Sequence, residues 1–241
     1  MTASDSQARL EVFPEDWERG LAVVAHPDDM EYGAAAAVAR WTGQGKSIAY
    51  ILVSDGEAGM ADVPPAEAGP IRRDEQLASC AIVGVSEVEF LGWPDGAIVE
   101  GLALRADLAA AIRRHEPEVV LSINHRDGWG PGSWNHADHR AVGRALLDAV
   151  RDAANPWIFP DRGAAWSGVR FTAFNASPYA THAVDTTDSF EIGVRSLEAH
   201  RRYLDSIGGD MATPESFLRR QAAAAGKHAG VELAATFEMV G

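Results

Sequence analysis

Short apolar runs alternate along the chain with polar turns rich in glycine and proline. The first strong run, Leu21-Ala22-Val23-Val24-Ala25, stops at Pro27. Small and branched apolar residues without polar alternation, bounded by a Pro-Asp turn, predict a strand buried on both faces. Comparable runs predict strands over residues 47–53, 88–91 and 119–123. Helical spacing fills the gaps, over residues 31–43, 72–84 and 102–115, with Gly43 placed to end the first helix. A fourth helix reaches about residue 154, with Asn135 as its N-cap and Asp138 at the third helical position.

Four strand-turn-helix units in succession imply an α/β fold: a Rossmann-like, doubly wound, mostly parallel sheet with right-handed crossovers. Residues before Trp17 read as an irregular arm. After Pro156 the pattern changes to short alternating pieces at 169–174 and 181–184, an amphipathic helix over 188–207, a helix over 217–227 and a last strand within 231–240. With no linker to divide it, residues 1–241 read as a single domain whose end forms a C-terminal appendage.

Composition narrows the function. Asp plus Glu number 35 against 21 for Lys plus Arg, a formal charge of −14 that argues against nucleic acid as a partner. Cys80 is the only cysteine, which excludes an intrachain disulfide and a thiolate metal cage and suits a small core residue on a helix. No apolar run approaches membrane-spanning length, and Met1 to Phe13 lacks the apolar segment of a signal peptide, so the expected location is the cytoplasm. Composition leaves the oligomeric state open, a homo-oligomer included.

The candidate chemistry lies where two predicted strands end. The first exit carries His26-Pro27-Asp28-Asp29-Met30-Glu31, the second Asn135-His136-Ala137-Asp138-His139. Open parallel sheets bind ligands just beyond the carboxyl ends of their strands. His26 and Asp29 offer one nitrogen and one oxygen donor of the kind zinc accepts, and the donor set also admits iron(II). Taken alone, these residues equally fit a capped helix start beside a hydrogen-bonded histidine. If the strand ending at Ile123 neighbours the one ending at Ala25, His139 completes a three-ligand site with one position open, the arrangement of a catalytic zinc. Zinc so held lowers the pKa of bound water to about 7. Asp28, adjacent to the ligand Asp29, is then the candidate general base. His136 is free to stabilise an oxyanion, and Asp138 to orient a histidine. The segment 124–134, with His125, Trp129, Trp134 and three glycines, fits either a lid over a small polar ligand or a packed surface loop.

Ala25-His26-Pro27-Asp28-Asp29-x-Glu31 with His136-x-Asp138-His139 resembles the PIG-L (LmbE-like) N-deacetylase family. So do Ser54-Asp55-Gly56-Glu57, Arg72 with Glu75, the turn from Leu91 to Gly96, and a helix ending in a histidine, here His200. The resemblance implies zinc on His26, Asp29 and His139, Asp28 as base, His136 on the oxyanion, and Arg72 and Asp95 at the sugar hydroxyls. Read alone, Arg72 also fits a surface ion pair and Asp95 a turn aspartate. Glu31 reads as support for the turn rather than as a ligand. The implied reaction is hydrolysis of an N-acetyl group from an N-acetylglucosamine-type sugar or conjugate. The Trp/Gly-rich loop before His136 departs from the family pattern, so an amidase for a larger acyl group remains an alternative. A metal- or sugar-binding module without turnover is the alternative of another class. No Gly-x-Gly-x-x-Gly follows the first strand, which argues against a dinucleotide site.

Overall fold

The computed structural model describes residues 10–241. Its strands, in chain order, are β1 (Glu11–Val12), β2 (Arg19–Val24), β3 (Ser47–Ser54), β4 (Glu87–Trp93), β5 (Val119–Ile123), β6 (Phe171–Asn175), β7 (His182–Asp185) and β8 (Ala234–Val240). The helices are α1 (Ala35–Gly43), α2 (Pro65–Ile82), α3 (Leu102–His115), α4 (Ala137–Ala154), α5 (Phe190–Glu198), α6 (Arg201–Ile207) and α7 (Pro214–Ala229), with a 3-10 turn over Asp210–Ala212. The strands form one sheet in the order β1-β7-β8-β6-β5-β2-β3-β4. Every pairing is parallel except those of β8, which runs antiparallel between β6 and β7.

The uniform apolarity of β2 has its cause in the layers that cover it. Ala22 and Val24 face a core shared with Ala37, Val38 and Trp41 of α1, while Leu21 and Val23 face Leu104, Leu108 and Ile112 of α3 and Val142 and Leu146 of α4. A strand with helices on both faces needs apolar residues at every position. A third, smaller cluster joins Phe190, Val194, Leu197, Leu204, Leu218 and Leu233 and fastens α5, α6 and α7 to one another.

Several expectations need correction. The C-terminal part is less separate than an appendage, because β6, β7 and β8 extend the main sheet. The segment before Trp17 is not irregular throughout: β1 pairs with β7, and Phe13 and Trp17 are buried. Expectations for residues 1–9 lie outside the described residues. Helix α2 begins at Pro65, seven residues before Arg72, and contains Pro70. Proline at the first helical position has its φ already set and lacks an N–H that would have no partner there. The helix expected over 188–207 is two helices, broken at His200 (φ −79°, ψ 48°), which is fully buried.

Candidate metal centre

β2 pairs with β3 on one side and β5 on the other, with Leu21 opposite Val120 in the β5 ladder. The chain therefore leaves these neighbouring strands in opposite directions, which opens the crevice in which α/β sheets bind ligands. The turn after β2 delivers His26, Asp28 and Asp29 to it, and the segment after β5 delivers His136 and His139. The adjacency on which the three-ligand arrangement depends is thus present.

Three donor atoms meet there. His26 Nδ1 lies 3.2 Å from His139 Nε2. Asp29 Oδ1 lies 3.0 Å from His139 Nε2 and 3.7 Å from His26 Nδ1. Metal–donor bonds of about 2.0–2.1 Å at tetrahedral angles place neighbouring donors about 3.3 Å apart, close to these separations. Each donor is turned inward by a second contact. His139 Nδ1 pairs with Asn135 Oδ1 at 3.0 Å, which puts that ring's proton on Nδ1 and the Nε2 lone pair toward the centre. His26 Nε2 faces Asp95 Oδ1 at 3.0 Å and Asp138 Oδ2 at 3.2 Å, leaving Nδ1 toward the centre. Asp29 Oδ2 accepts the His26 backbone N–H at 2.9 Å and fixes Oδ1.

Lone pairs held this close require a positive charge among them, either a proton or a metal cation. The titration behaviour follows. Burial works against ionisation of both groups, but His139 and His26 hold the Asp29 carboxyl far below its ordinary range, and Asp29 with Asp138 raises His26 well above its own. The site fits a divalent cation, which would displace that proton.

Asp28 lies beside the trio without joining it. Burial pushes its carboxyl up to about 7, against the lowering effect of Arg72. Its φ of 90° is unusual for a residue other than glycine and costs on the order of 1–3 kcal/mol unless the surroundings impose it. His136 caps α4 by accepting the Asp138 N–H on Nδ1 at 3.2 Å, so the cap is His136 rather than Asn135. Burial, with His26 and His139 nearby, lowers its pKa. The neutral ring therefore carries its proton on Nε2. Asp138 also accepts the backbone N–H groups of Gly96 and Ile98, tying α4 to the turn after β4.

Arg72 is buried, which removes the surface ion-pair reading. It donates to the Pro27 carbonyl, lies 3.4 Å from Asp28 Oδ2 and covers the Tyr203 ring at 3.7 Å. Asp95 accepts the Ala58 N–H at 2.9 Å in addition to facing His26. Both border a cavity of about 290 Å³ whose wall also includes Tyr32, Trp129, Tyr203 and Met211. Those four come from separate stretches of chain, and no local motif marks them as neighbours; Tyr32 Oη donates to the Met211 carbonyl at 3.0 Å. The base of the 124–134 segment is pinned by Asn135, which donates to the Asn124 and Arg126 carbonyls, while Trp134 is 71 % exposed. His125 is buried against Phe174 and does not border the cavity.

The profile of one family, PIG-L, described as GlcNAc-PI de-N-acetylase, matches residues 21–150, which hold the whole trio and both flanking turns. The chain belongs to the PIG-L family. Among its relatives is a diacetylchitobiose deacetylase of Thermococcus kodakarensis, 28% identical over 89% of this chain and 80% of that protein. A 1D-myo-inositol 2-acetamido-2-deoxy-alpha-D-glucopyranoside deacetylase of Geodermatophilus obscurus is 30% identical over 61% of this chain, a match spanning 58% of that protein. The solved N,N'-diacetylchitobiose deacetylase of Pyrococcus horikoshii, complexed with its inhibitor MPG, superposes with a TM-score of 0.84 at 24% identity, covering 94% of this chain and 85% of that one, and establishes the shared fold. Among the described residues, no helix is long and apolar enough to cross a membrane.

Proposed function

We propose that this PIG-L protein is a metal-dependent N-deacetylase that hydrolyses the N-acetyl group of an N-acetylglucosamine-type sugar or conjugate and leaves a free amine. The observation that carries the reading is the convergence of His26, Asp29 and His139 donors beside a buried carboxylate that is not one of them, in a cavity sized for a small molecule. The named relatives supply the substrate class. Zinc best matches two imidazoles and a carboxylate, with iron(II) also admitted, and a cation there supplies Lewis acidity to the amide carbonyl and to water.

The chain's own residues do the rest. Asp28 takes the proton from the attacking water and returns it to the departing nitrogen; a carboxyl near neutrality in pKa is suited to both transfers. His136 Nε2–H donates to the oxygen on which negative charge develops. Asp138 holds His26 in the tautomer that presents Nδ1. Arg72 and Asp95 border the wall proposed to receive the sugar hydroxyls. Ile123, Trp129 and Met211 give another part of the wall an apolar surface, which favours testing longer acyl chains beside acetyl.

The test is anaerobic metal analysis of the purified protein followed by an amine-release assay on N-acetylglucosamine, diacetylchitobiose and matching amides with longer acyl chains. Acetyl release is expected to dominate. Chelation should abolish it and zinc should restore it. Asp28→Ala should lower turnover by at least about 10³-fold with metal content unchanged, whereas His139→Ala should lose the metal. No amine from any amide while metal is bound overturns the hydrolase reading.

A further inference from the structure

The proposed base needs an unusual backbone conformation, and the side chain that holds its N–H, Gln76, lies outside the motif. Asp28 has φ 90°, beyond the region that non-glycine residues adopt without help. Its N–H donates to Gln76 Oε1 at 2.9 Å. The Gln76 amide is fixed in turn: Nε2 donates to Glu31 Oε1 at 2.8 Å, and the same oxygen accepts the Ser79 hydroxyl at 2.7 Å. Ser79 Oγ meets Ser196 Oγ of α5 at 2.7 Å. All four side chains are buried, with Gln76, Ser79 and Ser196 fully so. One turn earlier on α2, Arg72 donates to the carbonyl of Pro27. The peptide between Pro27 and Asp28 is therefore held at both ends by side chains four residues apart on one helix face, its carbonyl by Arg72 and its N–H by Gln76.

We propose that Gln76 is a positioning residue that, with Glu31 behind it, holds Asp28 in its left-handed conformation and so aims the carboxylate at the reacting atoms. The inference rests on Asp28 being the base. It gives the buried Glu31 a definite task, fixing which end of the Gln76 amide faces Asp28: Glu31 Oε1 accepts from the amide NH2, which leaves the amide carbonyl toward the Asp28 N–H. A rotated amide would present a donor to the Asp28 N–H and break the chain of bonds.

Two measurements test this without depending on each other. In metal-free protein, hydrogen exchange of the 26–31 segment is expected to quicken about 10-fold in Gln76→Leu while α3 and α4 keep their protection. Gln76→Glu, which retains an acceptor, should preserve more of the Asp28 protection. In metal-loaded protein, Gln76→Leu is expected to lower kcat about 10- to 100-fold with KM and metal content near wild type. If Gln76→Leu fails to fold, Gln76→Asn stays polar but is one methylene too short to reach and should show the same pattern. Wild-type exchange and kcat in a folded Gln76 variant overturn the proposal, as does a loss confined to KM or metal content. Asp28→Ala run in parallel separates the two readings. If it retains activity, the assignment of the base fails; if it is inactive while the Gln76 variants are normal, only the positioning role fails.

Discussion

Asn135 does for His139 what Asp138 does for His26: it accepts the ring's outer N–H and leaves the inner nitrogen's lone pair toward the proposed cation. It also donates to the Asn124 and Arg126 carbonyls, so the same amide ties the 124–134 segment to the ligand it orients. Asn135→Ala removes both functions without touching a donor atom. Metal affinity is expected to fall about 10- to 100-fold, read by competition with a chromophoric chelator, with the fold intact; an unchanged dissociation constant would show that His139 needs no such partner. That His26, Asp29 and His139 come together was legible in the sequence, because they sit in short motifs at strand exits. Their neighbours were so only in part: Asp138 was expected to face a histidine, Asn135 was not. Asn135 looked like a helix cap and Asp95 like a turn residue, and the contacts that reassign them depend on how the turns after β4 and β5 fold toward β2.

The packing of α5 on α1 depends on Gly193. A Cβ at that position would lie 2.8 Å from the Ala36 backbone nitrogen and 2.9 Å from the Ala36 Cβ, so these helices approach as closely as they do only because one of them lacks a side chain there. Gly193→Ala is expected to push them apart and cost about 1–3 kcal/mol, since a close-packed core cannot absorb an added methyl in place. Thermal unfolding should show a loss of roughly 2–4 °C for each kcal/mol in a chain of this size; an unchanged or raised midpoint would mean that α5 shifts freely. Gly33 has a similar restriction, with Asn175 Oδ1 2.4 Å from where its Cβ would stand. Strands and long helices were read well from periodicity, and boundaries less well. Residues 188–207 keep an amphipathic pattern across His200, and from Val194 to Ile207 there is no glycine or proline, so nothing local reports the break that separates α5 from α6. Pro70 misled in the opposite direction, because an internal proline ordinarily argues for a loop.

At the scale of the whole molecule, the parallel half of the sheet was legible from repeated strand-turn-helix units, whereas the antiparallel insertion of β8 between β6 and β7 is a long-range pairing with no local mark. The break between α5 and α6 also bears on how the whole protein should respond to acid. His200, fully buried where α5 meets α6, has a pKa lowered to about 3 by burial and, to a lesser extent, by Arg72. The unfolded chain binds this proton near 6.5, so between about 6.5 and 3 it holds more protons than the folded chain, and stability must decline as pH falls through that window. Above it the contribution is fully present and flat. The steepest loss from one such group is about 1.4 kcal/mol per pH unit. His125, lowered to about 4 chiefly by burial, acts in the same direction over a shorter range. Other groups titrate in the same interval, so the informative quantity is the difference between wild type and His200→Leu, followed by denaturant unfolding from pH 7 to pH 4. The variant is expected to gain on the wild type with each step of acidification. Parallel curves would show that His200 becomes protonated in the folded protein without cost, and that its burial in the third core cluster's neighbourhood does not govern acid sensitivity.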